Sequence, residues 1–188
     1  MKFSSLFLYP VFLLGFGLGG NAKEVEMISA FGGDEGEAKW FPVDDGVMGG
    51  VSKGGLEVKE GNLIFSGEIS LKNNGGFSSL RKVVKGSDFS GKDGFVMRVK
   101  GDGRTYKMRI ETDARFNGSE IGYQVDFETK DGEFIEVRVP FASFEPGWRG
   151  RDLDGPPMDL SKVEEIGLVL ADGKEGEFKI EVDWIGVE

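Results

Sequence analysis

The sequence predicts an all-β fold, an antiparallel β-sandwich or jelly roll with at most short helices, on three observations. Apolar and polar residues alternate in short runs, Asp-Gly and Asn-Gly pairs punctuate those runs, and no long stretch carries helical periodicity. Strands recurring at intervals of about ten residues, without long helices between them, define a sandwich rather than a βαβ fold.

The elements follow in chain order. Strands are expected at 57–60, 62–71 and 76–84. In "GFVMRVK" (94–100), Phe95, Met97 and Val99 alternate with Val96, Arg98 and Lys100; in "TYKMRI" (105–110), Tyr106, Met108 and Ile110 alternate with Thr105, Lys107 and Arg109. Successive side chains on a strand point to opposite faces, so each run has one dry and one wet face. The same period continues in "YQVDF" (Tyr123, Val125, Phe127), "FIEVRV" (Ile135, Val137, Val139), the run 165–171 and "FKIEVDW" (Phe178, Ile180, Val182, Trp184). Turns are expected at Gly101–Gly103, Asn117-Gly118, Asp131-Gly132 and Asp172-Gly173. The single helix candidate is "DLSKVEE" (159–165), where Ser161 and Glu164 have capping-box spacing.

The first 22 residues differ from the rest. One charge, Lys2, precedes an apolar stretch ending in small residues at Gly20 and Ala22, the pattern of a secretory signal cleaved after Ala22. An uncleaved membrane anchor is the rival reading, weakened by Pro10 and several glycines. The chain is therefore expected to be exported to a periplasmic or extracellular compartment. Residues 23–39 form an N-terminal segment, partly flexible or holding a first strand, ahead of one domain at 40–188.

Two absences narrow the chemistry. With no cysteine the fold is held without disulfides, and with no histidine the Ser-His-Asp and Cys-His nucleophile arrangements and imidazole metal ligands are excluded. The net charge of −10 argues against nucleic acid as a partner. "GDGRTY" (101–106) lacks the remaining Gly and Lys of a phosphate-binding loop, so no nucleotide is expected. Carboxylate pairs are inevitable among 33 acids and by themselves indicate no glycosidase. A non-catalytic binding protein without a cofactor is the expectation.

Five blocks carry a resemblance: "DDGVMGGVS", "FSGEISLKNNGGFSSLR", "RVKGDGRTYKMRI", "VPFASFEPGWRGR" and "IGLVLADGKEGEFKIEVDWI". In this order, over roughly 40–188, they resemble the complex I intermediate-associated protein 30 family. The resemblance implies a galactose-binding-like β-sandwich, the jelly-roll architecture shared with many carbohydrate-binding modules. It also implies a non-catalytic, chaperone-like role, since mitochondrial members act as assembly factors for respiratory NADH:ubiquinone oxidoreductase. The export pattern at the front of this chain departs from a mitochondrial transit peptide.

The candidate partner- or ligand-binding residues come from three stretches. Asp44 and Asp45 are read either as part of a tight loop, as a ligand site, or as oxygen ligands of a structural calcium, although adjacent carboxylates in an extended chain point apart. Met48 beside them is core or contact. Asn73, Asn74 and Arg81 belong to a turn leading into a strand whose first core residue is Phe77, or supply polar groups for a hydroxyl-rich ligand. Trp148, Arg149 and Arg151 either form a binding loop or pack over the end of the sandwich. The partner is expected to be a protein, a membrane complex or its subunits, with carbohydrate as the alternative.

Overall fold

The computed structural model describes residues 23–32 and 40–188. The expected leader at 1–22 and the stretch 33–39 lie outside the described residues. Among the described residues, thirteen strands form two antiparallel sheets.

The six-stranded sheet contains β1 (Glu26–Ala30), β3 (Lys53–Lys59), β4 (Asn62–Ile69), β6 (Gly94–Lys100), β9 (Phe134–Pro140) and β13 (Gly176–Val187). Its order is β3-β4-β13-β6-β9, and β1 pairs with β13 beyond the end of β4. The seven-stranded sheet contains β2 (Trp40–Asp44), β5 (Ser78–Ser87), β7 (Thr105–Phe116), β8 (Ser119–Glu128), β10 (Glu145–Trp148), β11 (Arg151–Asp152) and β12 (Val163–Leu170), in the order β11-β10-β8-β7-β12-β5-β2.

The alternation read from the sequence decides which side of each strand enters the core. Phe95, Met97 and Val99 of β6 face Tyr106, Met108 and Ile110 of β7 across the sandwich, all fully buried. Fully burying one such side chain contributes about 1.5–3 kcal/mol, so a core of this size dominates folding. Phe95 and Phe141 meet edge-on at 5.1 Å, with Phe89 and Phe144 around them.

The turns fall where the glycines were expected. At Asn117-Gly118 both residues are left-handed (φ 51° and 79°), the backbone of a type I′ hairpin turn. The helix expected at 159–165 does not form. Asp159, rather than Ser161, is the cap, its side chain accepting the Ser161 N–H, and only a single 3-10 turn, Leu160–Lys162, follows. Glu164 belongs to β12, where Ile166, Leu168 and Leu170 enter the core with strand periodicity and a register shift between Val163 and Glu165 lets Val163 be buried as well. The strand after the Asn-Gly turn starts at Ser78, leaving Phe77 only half-buried.

Candidate functional site

At one pole of the sandwich β2 ends in two aspartates whose side chains diverge. Asp44 accepts the Ser78 hydroxyl (2.6 Å) and the Gly54 N–H (3.1 Å), bracing β2 against the start of β5 and β3. Asp45 opens a 3-10 turn, Asp45–Met48, and is fully buried. Its Oδ1 accepts the Ser52 N–H (2.9 Å); its Oδ2 accepts the Ser52 hydroxyl (2.5 Å) and the N–H groups of Gly76 (2.6 Å) and Phe77 (3.3 Å). Its main chain completes the knot: its N–H donates to the Phe77 carbonyl, and its carbonyl accepts the Gly50 N–H.

One carboxylate thus ties together the turn after β2, the start of β3 and the loop before β5. Burial pushes the Asp45 carboxyl upward, but the hydrogen bonds from Ser52, Gly76 and Phe77 outweigh it and hold the group below its ordinary value. A Cβ at Gly50 would overlap this carboxyl group, and one at Gly75 would lie 2.5 Å from Oδ2. Here the glycines of "DDGVMGG" and "NNGG" permit close approach.

A second knot stands at the same pole. Arg104 clasps Asp172 with Nε (3.0 Å) and Nη2 (2.6 Å), and donates to the carbonyls of Lys174 and Glu177. Asp102 accepts the Tyr106 hydroxyl (3.1 Å) and the Lys179 N–H (2.8 Å). Glu175 links the knots by accepting the Leu71 N–H at 2.9 Å. Sequence reasoning missed this pair; the signal was an Arg and an Asp set in Gly-containing turns that flank neighbouring strands.

With the carboxylates turned inward, the loops present apolar side chains outward: Val47 is 74% exposed, Met48 55%, Val51 47% and Leu71 43%. Asn73 and Asn74 are exposed and left-handed (φ 57° and 58°), and Asn73 Nδ2 donates to the Gly49 carbonyl (3.2 Å), joining the two loops.

Arg81 lies elsewhere, on the outer face of the seven-stranded sheet. There the cross-strand register sets Glu165 directly opposite Glu111, and Arg81 and Arg109 on either side of Gly167. Like charges opposed across a ladder destabilise it unless compensated. Arg81 Nη1 lies 3.4 Å from Glu165 and 3.7 Å from Glu111, and Arg109 pairs with Glu111. Gly122 makes room for the Arg109 guanidinium; a Cβ there would lie 2.7 Å from Cζ. Burial and the neighbouring Arg81 lower Arg109 to about 10, and burial raises Glu165.

Trp148 is half-buried at the opposite edge of that sheet from β2, edge-on to Phe116 at 5.4 Å, with the Arg149 guanidinium 4.8 Å from its ring centre. Arg149 and Arg151 are exposed on the β10–β11 hairpin. The three candidate stretches therefore do not converge on one site. Among the described residues no group of three or more carboxylates is placed to hold a metal ion.

This architecture is the β-sandwich of carbohydrate-binding modules. The family 11 module from Clostridium thermocellum, solved in complex with a β-1,3-1,4-mixed-linked tetrasaccharide, superposes with a TM-score of 0.66 at 19% identity, covering 89% of this chain and 96% of that one. A family 28 module, described as specific for non-crystalline cellulose, gives 0.51 at 12% identity, over 92% and 99% of the two chains. Sequence places the chain more narrowly: it belongs to the complex I intermediate-associated protein 30 family, whose model matches residues 29–182.

"Complex I intermediate-associated protein 30, mitochondrial" of Mus musculus is 29% identical, over 79% of this chain and 52% of that protein. The protein named "Probable complex I intermediate-associated protein 30, mitochondrial" of Caenorhabditis elegans is 29% identical, over 68% and 43%. The chain thus spans about half the length of the curated relatives it matches. Their names place these relatives in mitochondria, which corrects the expectation of a periplasmic or extracellular protein.

Proposed function

We propose that this protein is a non-catalytic binding protein of the assembly-factor type, whose partner is a protein belonging to an intermediate of respiratory complex I. Its relatives' names couple them to such an intermediate. The observation that carries the choice of protein over glycan is the surface chemistry of the two sheets.

Sugar recognition draws on exposed aromatic faces, and among the described residues few rings are exposed. Among the described residues the exposed rings are Phe41, on the edge strand β2, and Phe116, packed on Trp148. Phe134 on the six-stranded sheet already carries Arg98 and Lys100 over its face at 4.5 and 4.9 Å. The centre of the seven-stranded sheet is an Arg–Glu network, and four of the exposed apolar side chains, Val47, Met48, Val51 and Leu71, are non-aromatic ones gathered on the braced loops. Aliphatic and Met side chains fixed on rigid loops suit a protein contact.

The test is affinity purification of the tagged chain from detergent-solubilised native membranes, with mass spectrometry of what is retained. Reproducible recovery of complex I subunits supports the proposal. Recovery of no protein partner, together with saturable binding on a glycan array, contradicts it.

A further inference from the structure

Charged side chains stand beside the exposed apolar ones at the braced pole. Most lysines of the described chain lie within ion-pair distance of a carboxylate, as Lys85 does with Glu164, Lys92 with Glu26, Lys100 with Glu181 and Lys162 with Asp113. Lys53, Lys72 and Lys174 are exposed and have no such partner among the described residues; Lys59, at the far end of β3, is the other. All three stand at the pole that bears Val47, Met48, Val51 and Leu71. Lys53 opens β3 next to Ser52, Lys72 follows Leu71, and Lys174 precedes the Glu175 that holds the Leu71 N–H.

In a chain of net charge −10 this clustering of exposed lysines outside ion-pair distance of any described carboxylate stands out. Several acids near them are turned to other groups: Asp44 and Asp45 to backbone and hydroxyl donors, Asp172 to Arg104 with Lys174 acting on it at longer range, and Asp102 to Tyr106 and Lys179. Glu68, the register partner of Lys53, lies opposite Glu177 on its other side and makes no ion pair among the described residues.

Resting on the protein-binding reading above, we propose that this pole docks an acidic amphipathic segment of the partner. Its apolar side chains seat on Val47, Met48, Val51 and Leu71, and its carboxylates are set against Lys53, Lys72 and Lys174. Apolar contact supplies affinity, while complementary charge at the rim steers encounter and selects the partner. A second copy of this chain is a poorer occupant, because a two-fold contact through one pole brings the same lysines toward each other. An anionic membrane is poorer too, since lipid-binding patches gather roughly 4–8 basic residues and this chain is strongly acidic overall.

The test places a photoactivatable benzoyl-phenylalanine singly at positions 48, 71, 83 and 149 of the full chain in its native cells, and sequences the partner peptide in each adduct. The expected result is adducts from 48 and 71, mapping to one partner segment that combines Asp or Glu with aliphatic residues. The triple variant Lys53→Glu, Lys72→Glu, Lys174→Glu lowers the yield at 48 by about ten-fold at an unchanged melting temperature. Adducts from 83 or 149 alone overturn this surface and leave the protein-binding reading standing; no adduct to another protein from any position removes both. Adducts of the chain with itself, or co-sedimentation with phosphatidylserine vesicles that the triple variant loses, also overturn the proposal.

Discussion

The Asp45 carboxylate accepts the backbone N–H of Gly76 at 2.6 Å, across 31 residues of chain. That bond joins the two glycine-rich motifs, "DDGVMGG" and "NNGG", into one element. Together with the bonds from Ser52 and Phe77 it explains how an ionised side chain lies fully buried with no cation beside it among the described residues: four donor contacts take the place of water.

Asp45→Asn keeps the shape but removes the charge, and turns an amide donor toward N–H groups that need an acceptor. Unfolding in urea is expected to show a loss of about 3 kcal/mol. For a domain of this size that corresponds to a fall in melting temperature of about 6–12 °C. A loss under about 1 kcal/mol would show that the knot is incidental.

Acid should unfold the wild type through the same group. The folded carboxyls of Asp45 and Asp172 lie below their ordinary value of 3.8, so the unfolded chain binds more protons in that range. Their contribution is therefore present above pH ~4 and is lost as the pH falls further through the folded values. Stability measured from pH 6 downward should drop less steeply in Asp45→Asn than in the wild type.

The glycines of one motif should separate by position. Gly50→Ala and Gly75→Ala drive a methyl group into the Asp45 carboxyl and should cost about 1–3 kcal/mol. Gly46→Ala meets no atom within 4 Å and should change stability by less than about 0.5 kcal/mol. Equal effects in thermal denaturation would contradict the packing described here.

Arg104→Ala leaves Asp172 half-enclosed without its partner and should cost about 3–5 kcal/mol. Arg104→Lys keeps the charge but loses the two-pronged clasp, and should recover only part of that loss. Chemical denaturation of the two variants side by side distinguishes the clasp from the charge.

The sandwich was legible because period-two alternation maps directly onto two faces of a sheet. In β6 and β7 the sequence named the inward residues correctly, and Asn117-Gly118 named its own turn. Strand β2 was not legible, because Pro42 interrupts a five-residue edge strand; neither was the hairpin of β10 and β11, which holds Pro146 and Gly147 and only a two-residue partner. The helix misread at 159–165 arose because Asp159 and Ser161 make a local turn whose side-chain pattern mimics a capping box.

The pole was legible in part. Two adjacent aspartates were expected to point apart, and they do. The burial of Asp45 was hidden because it depends on Gly76, distant in the chain, and the clasp of Arg104 on Asp172 was hidden for the same reason. Arg81 was open to two readings, a strand residue after a turn or a ligand group; it lies in β5, where its register partner Gly167 and its neighbours Glu111 and Glu165 place it in a network on the sheet face, away from Asn73 and Asn74.

The role proposed for the carboxylate knots is to hold an apolar pole in place for contact with a protein partner. Its most direct measurement is the native-gel migration of Met48→Asp beside wild type, after each is shown to melt at the same temperature. Wild type is expected to migrate with a high-mass assembly, and Met48→Asp to shift to the free monomer. Equal co-migration of both with the assembly would contradict it.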